Sequence, residues 1–189
     1  MSRIVLTEFI SLDGVMEEPR WTFGFERGPD GNAFKFDELF ASEALLLGRV
    51  TYQAFAQAWP NMGTDEFGKR MNSIPKYVVS STLGDAEANW GPTTVIRDDV
   101  VPAVTKLKAE PGGDLLVEGS CQLARTLIGR GLVDEYRFML FPIVLGAGQR
   151  LFPEEIDEAA RLALTEVKPD RDGVMLLRYH PAAAGEEKS

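Results

Sequence analysis

One cysteine, one histidine and no long apolar run set this 189-residue sequence apart more than anything it holds in abundance. Cys121 alone closes no internal disulfide, which suits a reducing compartment. His180, beside Pro181, has no second imidazole to join, and Cys121 has no histidine near it in sequence. Zinc sites and Cys–His nucleophiles are therefore not expected, and no metal is assigned. No stretch approaches the roughly 18 consecutive apolar residues that a membrane span requires. The opening Met1-Ser2-Arg3 runs directly into a strand pattern, without a signal-peptide core and cleavage site. Positive charge is scarce as well: 20 Lys and Arg stand against 29 Asp and Glu, a net charge of -9. Such a surface repels a nucleic-acid backbone, so a phosphorylated ligand needs a local basic spot. The expectation is a cytoplasmic protein with a small-molecule partner, and neither nucleic acid nor membrane.

What the chain does contain is ordinary globular composition, 44% apolar and 26% charged, enough to bury a full core. Residues 1–181 read as a single domain and 182–189 as a disordered tail. Residues 3–10 (RIVLTEFI) form an apolar first strand, which Ser11-Leu12-Asp13-Gly14 ends in turn chemistry. A long loop follows to Ala33, and its Trp21, Phe23 and Phe25 either cover a ligand or tack the loop to the core. Helical spacing runs over 34–43, 50–58, 65–72, 100–110 and from Ser120 through Arg130. Strands alternate with these helices at 44–47, 76–80, 93–96 and 114–117. A strand over 135–145 contains Pro142, which suggests an edge or a bulge there. Segments 162–168 and 174–179 flank Asp172-Gly173 and read as an antiparallel hairpin. The pattern predicts an α/β fold: a mainly parallel central sheet flanked by helices, with a C-terminal antiparallel hairpin.

Three strand ends carry the chemistry. At Leu45-Leu46-Leu47-Gly48-Arg49-Val50-Thr51 an apolar strand enters a helix through glycine, leaving backbone N–H groups directed outward. Arg49 adds a planar donor fork suited to phosphate, and Thr51 a hydroxyl; the plain alternative is a junction with a solvated arginine. Leu116-Val117-Glu118-Gly119-Ser120 repeats the pattern, with Gly119 permitting close approach of a ligand and Ser120 available as a helix cap. Val79-Ser80-Ser81-Thr82 ends a third strand in hydroxyls, which in many proteins merely finish a strand. Gly146-Ala147-Gly148 is no dinucleotide fingerprint, since Leu151 stands where a third glycine belongs and no suitable helix follows.

In this order the motifs SLDG (11–14), LLLGRVTY (45–52), YVVSSTL (77–83) and LLVEGSCQLARTLI (115–128) resemble the dihydrofolate reductase superfamily. LVDEYRFMLFPIVLGAGQRLF (132–152) is similar to the branch that includes the reductase domain of bacterial riboflavin biosynthesis. The resemblance implies a dihydrofolate-reductase-like fold that binds NADPH at the strand ends. It places Gly48 and Arg49 near the adenosine 2′-phosphate, and Val50 and Thr51 at the pyrophosphate. Ser80 and Ser81 fall beside the 2′-phosphate and adenine. Gly119, Ser120, Cys121 and Gln122 match the second phosphate-cradling turn, and Ser11, Leu12 and Gly14 the flexible loop over the nicotinamide. The superfamily's Gly-Gly with its cis peptide is replaced here by Glu118-Gly119.

For the substrate, dihydrofolate reductases use a carboxylate on the helix before the GR-x-T strand, and Asp37 is the candidate. At helical spacing it shares a face with Phe34, Phe40 and Ala41, from which it either enters an apolar pocket as a proton donor or stays solvated near the helix start. The reading is an NADPH-dependent reductase of a small ring-containing metabolite, a pterin, folate or pyrimidine-like compound. The rivals are a riboflavin-pathway reductase of a ribosylamino-pyrimidine phosphate and a non-catalytic cofactor- or ligand-binding protein. A homodimer is expected as well. Tyr136, Phe138, Leu140, Ile143 and Val144 supply more apolar surface than one sheet face needs, and riboflavin-branch reductases pair through this region.

Overall fold

In the computed structural model, which describes residues 1–152 and 160–182, every strand joins one eight-stranded sheet. The strands are β1 (Ile4–Ser11), β2 (Ser42–Gly48), β3 (Lys76–Val79), β4 (Thr93–Ile96), β5 (Asp114–Glu118), β6 (Glu135–Phe141), β7 (Leu162–Pro169) and β8 (Met175–Pro181). Their order across the sheet is β4-β3-β2-β5-β1-β6-β8-β7. Pairing is parallel from β4 to β6 and antiparallel where β8 meets β6 and β7. This is the dihydrofolate-reductase-like arrangement, and the carboxyl ends of β1, β2, β3 and β5 lie side by side, where parallel sheets open their ligand crevices.

The helices α1 (Pro29–Ala41), α2 (Arg49–Met62), α3 (Glu66–Ser73), α4 (Val100–Ala109) and α5 (Cys121–Gly129) cover both faces. Alternation along the strands divides the core accordingly. Ile4, Leu6, Leu46, Leu115 and Val117 pack with Val104, Leu123 and Leu127 of α4 and α5. Val5, Leu45, Leu47 and Leu116 pack on the other side with Leu39, Tyr52 and Met71 of α1, α2 and α3. At the amino ends of the strands Arg3 bridges Asp114 (2.7 Å) and Glu135 (3.0 Å), far from the crevice. The buried Lys76 donates to the Asn72 carbonyl at 2.9 Å and lies 4.1 Å from the Trp90 ring centre.

Several expected boundaries move. Helix α1 begins at Pro29 rather than Phe34, because Pro29 is preset for a first helical position; the long loop shortens and gains a 3-10 turn at Pro19–Gly24. Trp21 and Phe25 tack that loop down, each edge-on to Phe141, whereas Phe23 stands out in solvent. Helix α2 runs through Pro60 to Met62; Pro60 forfeits one bond to the Ala56 carbonyl, but it sits in the last turn, where little helix remains to be disturbed. Pro142 marks no edge or bulge: β6 stops at Phe141 and lies inside the sheet between β1 and β8. Tyr136 and Phe138 belong to the subunit's own core, so the surplus apolar face expected of that strand is not there; of the five residues Val144 is the one left widely exposed. The tail at 183–189 lies outside the described residues.

Candidate functional site

The two glycine turns interlock. The Gly48 N–H donates to Ser120 Oγ at 2.8 Å, and the Ser120 N–H donates to Thr51 Oγ1 at 3.0 Å. Gly119 holds φ at +61°, and a side chain there would press within 3.1 Å of Thr51. Ser120 also takes a positive φ, so its hydroxyl does not cap its own helix and serves the neighbouring turn instead. Neither α2 nor α5 receives a side-chain cap, which leaves the first N–H groups of both helices directed at one space. Helix dipoles and uncapped N–H groups placed in this way suit an anion. The Glu118–Gly119 peptide is trans, like every other described peptide bond.

Around this space the structure places the other residues singled out in the sequence. Arg49 is exposed on the first turn of α2 and donates to Gln53 at 3.2 Å, an exchangeable surface contact. Val50 beside it is exposed to 72%, a bare apolar side chain at the crevice mouth. Ser80 and Ser81 follow β3, the strand paired with β2. The Ser80 hydroxyl is already committed, accepting from the N–H groups of Thr82 (3.1 Å) and Leu83 (2.9 Å); Ser81 is open to solvent. Cys121 is half-buried and donates to the Arg150 carbonyl, and burial pushes its thiol above the ordinary range. Gln122 is exposed.

The Ser11–Gly14 turn is anchored rather than loose. Ser11 is buried, its hydroxyl accepts from Val15 N–H at 2.9 Å, and Gly14 supplies the positive φ of the turn. Asp13 reaches the backbone of the Gly146 loop, and Leu12 N–H donates to the Ile143 carbonyl at 2.9 Å. Leu12 itself projects outward. The Gly146-Ala147-Gly148 segment thus serves as the anchor of this turn.

Beyond the turns lies a cleft of about 640 Å³, between the Pro19–Gly24 turn, the start of α2 and the β7–β8 connection. Its walls are chiefly apolar, with Phe9, Phe23, Phe25, Phe141 and Val50, and Arg20 and Arg27 stand at its rim.

Asp37 does not reach it. The buried face of α1 carries Gly31, Phe34, Lys35, Glu38 and Leu39, and this phase leaves Asp37 in solvent. The expectation that Asp37 enters an apolar pocket is corrected, and the buried charges are its neighbours. Lys35 ion-pairs with Glu38 and, at 2.9 Å, with Glu118; its Nζ also lies 5.1 Å from the centre of the Phe9 ring. Burial opposes the Lys35 ammonium, yet Glu118 and Glu38 outweigh it and raise its pKa above the ordinary lysine value. Burial raises the Glu38 carboxyl despite Lys35. Glu8, on β1, is raised furthest by burial, with Glu118 adding to the effect. The sequence signal for Glu8 was an acid inside an otherwise apolar strand; Lys35 and Glu38 carried only their spacing of three.

Comparison with known proteins accords with this geometry. The model of the RibD C-terminal domain family matches residues 2–176. An uncharacterized Bacillus subtilis protein, YyaP, is 32% identical over 186 residues, covering 94% of each chain. The structure of a putative riboflavin biosynthesis protein from Shewanella superposes with a TM-score of 0.77 at 18% identity, covering 95% of this chain and 99% of that one. A pyrimidine reductase-like protein of Corynebacterium diphtheriae superposes with a TM-score of 0.68 at 14% identity, covering 97% and 93%. No helix among the described residues is long and apolar enough to cross a membrane.

Proposed function

The chain belongs to the RibD C-terminal domain family, and from that premise we propose that it is an NADPH-dependent reductase acting in the cytoplasm on a small ring-containing metabolite. The observation that carries this reading is the interlock of Gly48, Thr51, Gly119 and Ser120, which aims two uncapped helix starts at one space beside Arg49. A pyrophosphate suits those N–H groups, and the 2′-phosphate suits the exposed guanidinium. Val50, Ser81, Leu12 and Gln122 complete the rim, with Gly14 shaping the turn beneath Leu12. NADPH supplies the hydride; the chain orients it, excludes water and provides a proton.

The apolar cleft next to the turns would take a flat ring, with Phe9 and Phe141 as its walls. Within this reading a ribosylamino-pyrimidine phosphate is favoured by one further observation. Arg20 and Arg27, which line the cleft beside Glu18, Glu26 and Asp170, are the cations a substrate phosphate would meet.

Titration with NADPH and NADH, followed by a screen of pterins, folates and ribosylamino-pyrimidine phosphates for oxidation of bound NADPH, tests the proposal. Tight NADPH binding with oxidation by one of these rings is the expected result. Absence of NADPH binding overturns the cofactor assignment. Binding without oxidation by any ring makes the chain a cofactor-binding protein instead.

A further inference from the structure

Between the glycine turns and the cleft, three carboxyl groups surround one ammonium. Lys35 is held by Glu38 and Glu118, and Glu8 lies close enough for its charge to be felt by Glu118, Lys35 and Glu38. Glu8 and Glu38 are almost wholly buried, at 5% and 1% exposure. One Glu8 oxygen accepts from Gly119 N–H, while Oε1 has no hydrogen-bond partner. Three ionised carboxylates around one cation would leave surplus negative charge inside the protein, where like charges hold protons rather than ionise together. Lys35 has spare capacity of its own. One of its N–H groups donates to Glu118 at 2.9 Å, Glu38 is held as an ion pair whose two oxygens have no hydrogen-bond partner, and Thr7 Oγ1 lies at 3.5 Å, the outer limit of a hydrogen bond. Phe9, over which that ammonium sits, lines the cleft.

We propose that Lys35, Glu8, Glu38 and Glu118 act as one buried acid, with Lys35 as the catalytic residue that touches the substrate and gives it a proton. The proposal rests on the reductase reading above. As the carbon of a C=N or C=O bond gains hydride from the dihydronicotinamide, which is oxidised to nicotinamide, the π pair of that bond moves onto nitrogen or oxygen. That atom takes a proton from the Lys35 ammonium. The neutral amine regains one from the carboxyl cluster, which is reprotonated from water. The substrate class this selects has a hydrogen-bond-accepting ring nitrogen or carbonyl next to the bond reduced. Apart from the cluster itself, Cys121 of α5 is the titratable group that feels the Glu8 charge, and Arg27 is the other cation over Phe9.

The proton store is tested without any cofactor, by carboxyl-carbon NMR of the glutamate-labelled full chain across pH. At least one glutamate carboxyl is expected to titrate a pH unit or more above the ordinary value of about 4.3. Lys35→Met should push that titration higher, because the countercharge is gone, and Glu8→Gln should remove one such signal. Ordinary titration of every glutamate in the unmutated chain overturns the proposal, and that result needs no variant to fold. The contact is tested with lumazine, a two-ring lactam, by fluorescence titration. Lys35→Met should weaken it tenfold or more. Failure of the unmutated chain to bind lumazine, or equal affinity in Lys35→Met, overturns the role of Lys35 at the substrate. NADPH titration separates the two readings: a protonated cluster without NADPH binding sinks the reductase, and NADPH binding with ordinary glutamates sinks this acid.

Discussion

The Asp13 carboxylate accepts from the backbone N–H of Gly146 at 2.8 Å, across 133 positions of sequence. The Ser11 hydroxyl (2.6 Å) and the Leu145 N–H (3.1 Å) also donate to it, Arg150 lies 3.7 Å away, and the hydrogen bonds hold its pKa at about 2. The turn that the resemblance assigns to the nicotinamide is therefore fastened at its base, with Leu12 alone projecting.

Asp13→Asn is expected to loosen both loops. A depressed carboxyl contributes stability above its unfolded value of about 3.9, and that contribution fades as pH falls towards the folded value of about 2. At neutral pH the amides of Leu145 and Gly146 should exchange faster in the variant, and the two proteins should converge only in strong acid. Equal exchange at neutral pH would show that the loop holds without this carboxylate.

Arg49→Ala should weaken NADPH binding about ten- to a hundredfold, since a charge-assisted guanidinium–phosphate contact contributes roughly 1.5–3 kcal/mol. NADH binding should barely change. Its exposed side chain touches only Gln53, so the fold should survive. Calorimetric titration of both proteins with both cofactors decides; equal losses would mean that Arg49 supports the turn and does not read the 2′-phosphate.

Ser120→Ala removes the acceptor for Gly48 N–H, and Thr51→Val removes the acceptor for Ser120 N–H. Each should lower stability by about 1–3 kcal/mol in urea unfolding, because a half-buried donor is left unpaired. Thr51→Ser keeps the oxygen and should recover most of the loss. If Val and Ser at position 51 behave alike, the interlock is not what holds the turns together.

Lys76 is buried, and burial with Arg70 nearby lowers its pKa to about 8. Its folded state releases a proton that the unfolded chain keeps up to about 10.4, so this group makes stability rise with pH across that window. Lys76→Met should abolish that rise while costing little at neutral pH. Parallel stability-against-pH curves for the two proteins would contradict the assignment.

A homodimer is our expectation in solution, carried by a different surface from the one first read in the sequence. The register shift in β7 brings Leu164 opposite Tyr179 and Val167 opposite Leu177, so both exposed apolar side chains share one face of the outermost strand. Sedimentation should give twice the 20.9 kDa chain mass, and Val167→Lys should reduce it. A monomer at micromolar concentration would refute this.

The strand positions and the three strand ends were legible because each is encoded locally: an apolar run, a glycine, then helix-forming residues. Side chains that act at a distance were less so. Asp37 was open between pocket and solvent because Phe34, Phe40 and Ala41 suggested one apolar face, whereas Phe40 and Ala41 are exposed. A start at Pro29 makes plain the buried face of Gly31, Phe34, Lys35, Glu38 and Leu39. A lysine on a buried face runs against its usual preference for water, and what permits it is Glu118, 83 positions away. No local pattern carries that pairing. Gly146-Ala147-Gly148 carried no readable role in the sequence, and its service to Asp13 is equally a matter of tertiary contact.

The interlock also bears on how the protein comes to be folded. Gly48 and Ser120 are separated by 72 residues, and both their bonds require β2 already paired with β5. Closing so long a loop carries an entropic cost that local contacts do not repay, which places such pairings late in assembly. The interlock of the two turns therefore cannot form on a chain that lacks β5. Nascent or truncated forms that end before residue 120 have the Gly48 turn without its mate, and acquisition of cofactor affinity would mark completion of the central sheet.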